Sequence, residues 1–257
     1  MPKTLKANSI INIDALKNNC NHCGSAQFCL VRNLQESELL DFNALVKRRK
    51  SLQRGERLFQ SGDYFLSFYI VDSGSVKSTI ESKGGEQKIT GFYFSGDLIG
   101  IDGFESGQHT YSVETLEVSS FCVIPFSLFE DVAKKIPALQ LQLLRYISRE
   151  LSREQELMLL LGRMGSKRRL ASFLLAMSLQ LQKKGCSARD INLSMTRHDI
   201  ANYIGLATET VSRLLIQLQN EKTLGVRRKN IIIRNQRQLC SIANNCPEDE
   251  VGMSEIA

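Results

Sequence analysis

The sequence has no apolar run approaching the roughly 18 to 20 residues that a membrane helix needs, and Met1 to Asn19 carries no apolar core of a secretory leader. A cytoplasmic chain is expected. Tryptophan is absent, and four prolines and 17 glycines are too few for collagen-like or broadly disordered composition. With only three histidines, no nucleophile motif, no Gly-rich phosphate loop and no evident acid–base pair, the sequence gives little support to an enzyme. What is present is a chain of 257 residues, 42% hydrophobic, enough for about two domains with real cores.

The formal net charge of +6 is unevenly spread. Between Arg163 and Gln238 there are 15 Lys and Arg against four acids, whereas the rest of the chain carries 18 basic and 23 acidic residues. A basic C-terminal third points to a polyanion, nucleic acid above all.

From Val46 to Phe126 apolar and aromatic residues alternate, as in Phe65 to Val71 and Ile89 to Phe94, and Asp72-Ser73-Gly74 and Gly84-Gly85 punctuate them. Short strands at this spacing predict a sandwich or roll. After Pro137 a long helix is expected, with Leu144, Ile147, Leu151, Glu154, Met158 and Leu161 spaced 3, 4, 3, 4 and 3 residues apart. That heptad seam is a candidate dimer interface, with Glu154 the one charged member. Beyond Ser166 come a further helix, two short helices, and Leu224–Arg228 and Ile231–Arg234 as a two-stranded wing turning at Lys229-Asn230. The fold class expected is α+β, divided into a cysteine-rich arm (1–30), a β-roll (31–137), a dimerisation helix (138–165), a winged helix-turn-helix domain (166–245) and a mobile acidic tail (246–257).

Thr196 and Asp199 form a capping-box start, and Gly205 stands where a turn between two helices tolerates positive φ. In the helix that follows, Val211, Leu214, Leu215 and Leu218 share a face for burial. Glu209, Ser212 and Arg213 lie opposite, near the N-terminus, where a recognition helix meets base edges. Arg213 can donate twice to guanine and Glu209 can accept from cytosine, with Ser212 a short donor and acceptor. Arg197, Lys222, Arg227, Arg228 and Lys229 are candidate phosphate contacts.

Three of the seven cysteines crowd into Cys20-x2-Cys23-x5-Cys29, and the others are Cys122, Cys186, Cys240 and Cys246. Three thiolates within ten residues can wrap a metal centre, and Cys122, in a candidate strand, is the best fourth ligand. On spacing alone, structural zinc and an iron–sulfur centre remain equally open.

Roll, long helix and winged helix-turn-helix together resemble the cyclic-AMP receptor (CRP/FNR) family of bacterial transcription regulators. Cys20, Cys23, Cys29 and Cys122, the Glu209-x-x-Ser212-Arg213 helix, Gln87, Thr90-Gly91-Phe92, Gly96-Asp97-Leu98 and Met195-Thr196-Arg197 are similar to its oxygen-responsive branch, across nearly the whole chain. The resemblance implies one [4Fe-4S] cluster per subunit on the four cysteines, converted by oxygen to a [2Fe-2S] form. It further implies a cluster-bearing homodimer at TTGAT-type inverted repeats, base contacts from Glu209, Ser212 and Arg213, and recruitment of RNA polymerase to genes of anaerobic metabolism. The loop from Ser82 to Gln87 resembles the activating surface of such regulators, with Glu86 a candidate contact. Gly24 and Phe28 depart from the Ser and Leu common beside the ligating cysteines, neighbours that control access to the cluster. No cyclic nucleotide is expected, because Gln108 to Ser112 contains no arginine to pair with a phosphodiester.

Glu154 suggests how such a dimer could be conditional. Two carboxylates roughly 6 Å apart at an effective dielectric of about 20 repel by nearly 3 kcal/mol, so a metal centre that re-aims the helix would be needed to overcome them.

Overall fold

The computed structural model describes residues 20, 23–27, 29–46 and 48–244. The expected arm before Cys20, Phe28, Cys246 and the expected tail lie outside the described residues. After a cysteine-bearing loop comes helix α1 (Glu36–Leu45). Gln35 and Glu38 close its N-terminus as a capping box.

Eight strands follow: β1 (Arg48–Leu52), β2 (Arg57–Phe59), β3 (Ser67–Ser73), β4 (Ser75–Glu81), β5 (Gln87–Phe94), β6 (Leu98–Ile99), β7 (Ser112–Thr115) and β8 (Ser119–Pro125). They form two antiparallel four-stranded sheets, ordered β1-β8-β3-β6 and β2-β7-β4-β5. Alternation shows along β3, where Phe68 and Ile70 are buried under the helices while Tyr69 and Val71 turn to the space between the sheets. Leu58, Phe59, Val71, Val76, Val113 and Phe121 fill the space between the sheets. This is the expected roll.

Helix α2 (Phe126–Lys135) leads into the long α3 (Pro137–Arg163), with proline opening α3 where a missing N–H costs nothing. Leu139, Gln142, Tyr146 and Leu160 bury one face of α3, whereas Leu144, Ile147, Leu151 and Met158 are exposed on another.

The C-terminal unit consists of α4 (Ser166–Lys183), β9 (Asp190–Asn192), α5 (Arg197–Ile204), α6 (Thr208–Asn220), β10 (Leu224–Arg227), β11 (Asn230–Ile233) and α7 (Gln236–Ala243). Two details differ from the sequence reading. The wing has three strands, ordered β10-β11-β9, and its hairpin turns at Arg228-Lys229, with Arg228 at φ 55°. A two-residue turn with positive φ matches the twist of paired strands, so Asn230 joins the ladder instead of the turn. β9, three residues long, is too short to show a period.

The two halves share a core. Ile89 and Phe92 of β5 belong to the same buried cluster as Phe173, Ile200 and Leu214, and the Phe92 ring lies 5.1 Å from that of Tyr203. The β4–β5 sheet therefore packs directly against the helix-turn-helix.

Candidate functional site

Successive backbone bonds wind the cysteine loop: Cys23 N–H to Cys20 C=O at 3.2 Å, Ala26 to Cys23 at 3.1 Å, Cys29 to Ala26 at 3.3 Å and Arg32 to Cys29 at 3.0 Å. Bonds of this i to i−3 kind give three residues per turn, so side chains three apart eclipse. Residues 20, 23, 26 and 29 thus share one side of the loop, and the C-x2-C-x5-C spacing consists of multiples of three. Asn43 of α1 holds the start, its Oδ1 accepting from Cys20 N–H at 3.0 Å.

That side of the loop faces Cys122, in β8 between Arg49 of β1 and Ile70 of β3. All four thiols line one cavity, together with Ala26, Val31, Phe42, Val46, Ile70, Val71, Ser25 and Asp72. Burial pushes the Cys29 thiol up to about 12, and the three neighbouring cysteines push the same way. Such a group remains a neutral thiol at pH 7 unless a cation stabilises its thiolate. Among the described residues no three His, Cys, Asp or Glu groups are placed to hold a metal ion as they stand. The donor set nonetheless suits an iron–sulfur group: four soft sulfurs around a mostly apolar hollow.

The DNA-reading face is built locally. Thr196 Oγ1 accepts from Asp199 N–H at 3.1 Å while Asp199 Oδ2 accepts from Thr196 N–H at 2.8 Å, completing the expected capping box of α5. Gly205 ends α5 at φ 66° and ψ 46°, the left-handed conformation the tight turn demands. Val211, Leu214, Leu215 and Leu218 are buried, and Glu209 and Arg213 stand exposed on the outer face of α6. Ser212 is half-buried and accepts from the Arg197 guanidinium at 3.3 Å. Lys222, Arg227, Arg228 and Lys229 are exposed, with Lys229 Nζ bonded to the Ser194 carbonyl at 2.7 Å.

Of the candidate seam on α3, Ile147, Leu151, Glu154 and Met158 are exposed, whereas Leu161 is half-buried against the C-terminal core beside Gly205. Ile147, Leu151 and Glu154 also border a cavity between α3 and the roll that includes Tyr93, Tyr111 and Tyr146 and four carboxylates, Asp102, Glu105, Glu150 and Glu154. Glu86 is exposed in the β4–β5 turn, where Ser82 N–H donates to its carbonyl at 2.9 Å.

Sequence reasoning missed the groups that fasten these parts together. Lys77 of β4 bridges to Asp199 at 3.0 Å and to Glu114 at 3.2 Å. Burial opposes charge on both Lys77 and Asp199, yet the mutual contact and the Thr196 bonds win, raising Lys77 and lowering Asp199. Lys88 donates to the carbonyls of Asn202 and Tyr203 at the C-terminal end of α5, where the helix dipole favours a cation. Lys184, at the end of α4, donates to the Ser95 carbonyl at 2.6 Å and pairs with Asp97 at 2.8 Å. Apart from Lys77–Glu114, these contacts join residues about 90 to 120 positions apart, and no local pattern announces them.

Comparison with known proteins agrees with the geometry. Residues 168–242 match the Crp-like helix-turn-helix domain and residues 49–135 the cyclic nucleotide-binding domain. The chain is 38% identical over 231 residues to the fumarate and nitrate reduction regulatory protein of Vibrio cholerae, covering 90% of this chain and 92% of that one. Against the protein of the same name from Escherichia coli K12 it is 38% identical over 226 residues, covering 88% and 90%. Among solved structures, FixK2 from Bradyrhizobium japonicum superposes with a TM-score of 0.70 at 30% identity, covering 78% of this chain and 98% of that one. The chain therefore belongs to the fumarate and nitrate reduction branch of the CRP/FNR family, and is a DNA-binding transcription regulator, not an enzyme.

Proposed function

We propose that this regulator senses oxygen through a [4Fe-4S] cluster held by Cys20, Cys23, Cys29 and Cys122, one per subunit, and that the loaded form is the homodimer that binds DNA. The observation that carries the reading is the shared cavity, in which three turns of loop and one central strand present four thiols to the same hollow. A bound cluster supplies redox chemistry that oxygen can reach and alter. The chain's own part is to hold the loop against β8 through Cys122 and to keep the hollow largely apolar.

The exposed stripe Ile147, Leu151 and Met158 is the surface we assign to the partner subunit, with Glu154 the repulsive element that makes pairing conditional. Glu209, Ser212 and Arg213 read the half-site of a TTGAT-type inverted repeat, and Arg197, Lys222, Arg227, Arg228 and Lys229 supply phosphate contacts. Glu86 lies on the face offered to RNA polymerase, and the regulator acts in the cytoplasm on genes of anaerobic metabolism. A cyclic nucleotide is not its effector: the described residues lining the cavity between roll and helix include four carboxylates and no lysine or arginine to pair with a phosphodiester.

Anaerobic purification followed by iron, sulfide and zinc assay tests the reading. About four iron and four sulfide per subunit, with a visible spectrum that bleaches in air, are expected for this cluster. One zinc per subunit and indifference to air would replace it with a structural metal site.

A further inference from the structure

We propose that Asp72 sets how readily the cysteine centre is lost; the inference rests on the iron–sulfur reading above and names a residue which that reading does not use. Asp72 lies in β3, at a shift of register between Val71 and Ser73 in the pairing with β8, so the ladder leaves it without an opposite residue. Its carbonyl accepts from Ser95 Oγ at 2.7 Å and from Ser25 Oγ, in the cysteine loop, at 3.5 Å. Ser25 and Ser95 are themselves hydrogen-bonded, so the loop is tied to the strand at this point. The Asp72 side chain forms part of the cavity wall, with Oδ2 accepting from Ser120 Oγ at 2.8 Å and Oδ1 4.0 Å from Cys23 Sγ.

The sign of that last contact depends on whether Cys23 is a thiol or a ligand. A thiol directs its S–H at the carboxylate, a weak attraction. A metal-bound thiolate has lost that proton, and the same carboxylate then faces negative sulfur across a wall of Val31, Phe42 and Ile70, where screening is poor. Asp72 therefore favours the cluster-free loop over the loaded one. It would also favour oxidation: an electron given up to dioxygen by a cluster held here would remove negative charge, and that removal is easier beside a carboxylate. Net charge near the cluster and contacts to its sulfurs are what tune such centres.

The test loads the full-length protein, Asp72→Asn, Asp72→Ser and Asp72→Glu anaerobically and follows visible absorbance in air-saturated buffer, with the midpoint potential measured in parallel. Asn and Ser both remove the charge, and Asn can still accept the hydrogen bond from Ser120. Decay at least threefold slower with a more positive potential is expected for Asp72→Asn and Asp72→Ser, and decay close to the unsubstituted protein for Asp72→Glu. Neutral variants that decay as fast as the unsubstituted protein, or that fail to load while it loads, would overturn the assignment of Asp72 alone. An unsubstituted protein without iron and sulfide would overturn the iron–sulfur reading and this inference with it.

Discussion

The cysteine cavity and the DNA-reading helix are built in opposite ways. The reading face comes from one stretch of sequence, Thr196 to Leu218, whose cap, turn and buried stripe follow from near neighbours. The cavity brings a loop near residue 20 to a strand at residue 122 and closes over α1, so it exists only when the roll has formed. A locally built face stays in shape when the rest of the protein changes. A site assembled over a hundred residues responds to whatever happens at any of its walls, which suits a sensor.

That contrast can be broken most sharply at Cys122. Cys122→Ala removes the one proposed ligand outside the loop, and iron per subunit in anaerobically purified protein is expected to fall from about four to nearly none. Next comes the link between the two regions, Glu154→Ala on the open stripe of α3. If like charge alone holds apo subunits apart, dimerisation of the cluster-free protein strengthens close to a hundredfold, the equivalent of about 3 kcal/mol, read by sedimentation. A wholly monomeric apo variant would remove Glu154 from the account.

Substitutions on the reading face should act locally, in keeping with its construction. Arg213→Ala is expected to cost about 1 to 3 kcal/mol of binding and to relax preference at a single base pair, checked by competition between duplexes altered one position at a time. Lys77→Met, which cuts the bridge to Asp199 but leaves its Thr196 bonds, is expected to lower unfolding stability by about 1 to 3 kcal/mol. Asp199 is depressed, so its contribution is present above the ordinary carboxylate value and lost as pH falls through its lower folded one. Lys77 is raised, so its contribution is present below the ordinary ammonium value and lost as pH rises through its higher folded one. The cost of Lys77→Met in denaturant titrations is thus flat from about pH 5 to 9 and shrinks in acid. Smallest is Arg228→Ala: affinity falls alike for all sequences, and the slope of log affinity against log salt drops by about one.

How far the sequence could be read follows the same division. The capping box at Thr196 and Asp199, the left-handed Gly205 and the buried faces of α6 are local chemistry, visible before folding. The strands of the roll were legible from alternation, and the four cysteines from their spacing and from Cys122 standing in a strand. The shallow β9 and the wing turn at Arg228-Lys229 were not, since three residues show no period and β-branched Ile231 to Ile233 read equally well with the strand starting one position later. Asp72, Lys77, Lys88 and Lys184 carried no signal at all. Each looks like an ordinary surface charge until distant chain is packed beside it; then Asp72 becomes part of the cysteine cavity wall, and Lys77, Lys88 and Lys184 become contacts between the roll and the C-terminal unit.

The central claim is that the state of the cysteine cavity decides whether the reading face engages two half-sites at once. The most direct measurement titrates one anaerobic sample, before and after air, against a duplex carrying an inverted repeat and against a duplex carrying a single half-site. The expected result is tight binding to the repeat before air, a loss of at least tenfold after it, and little change on the single half-site. Equal affinity for the repeat in both states, with iron demonstrably lost, would contradict the account.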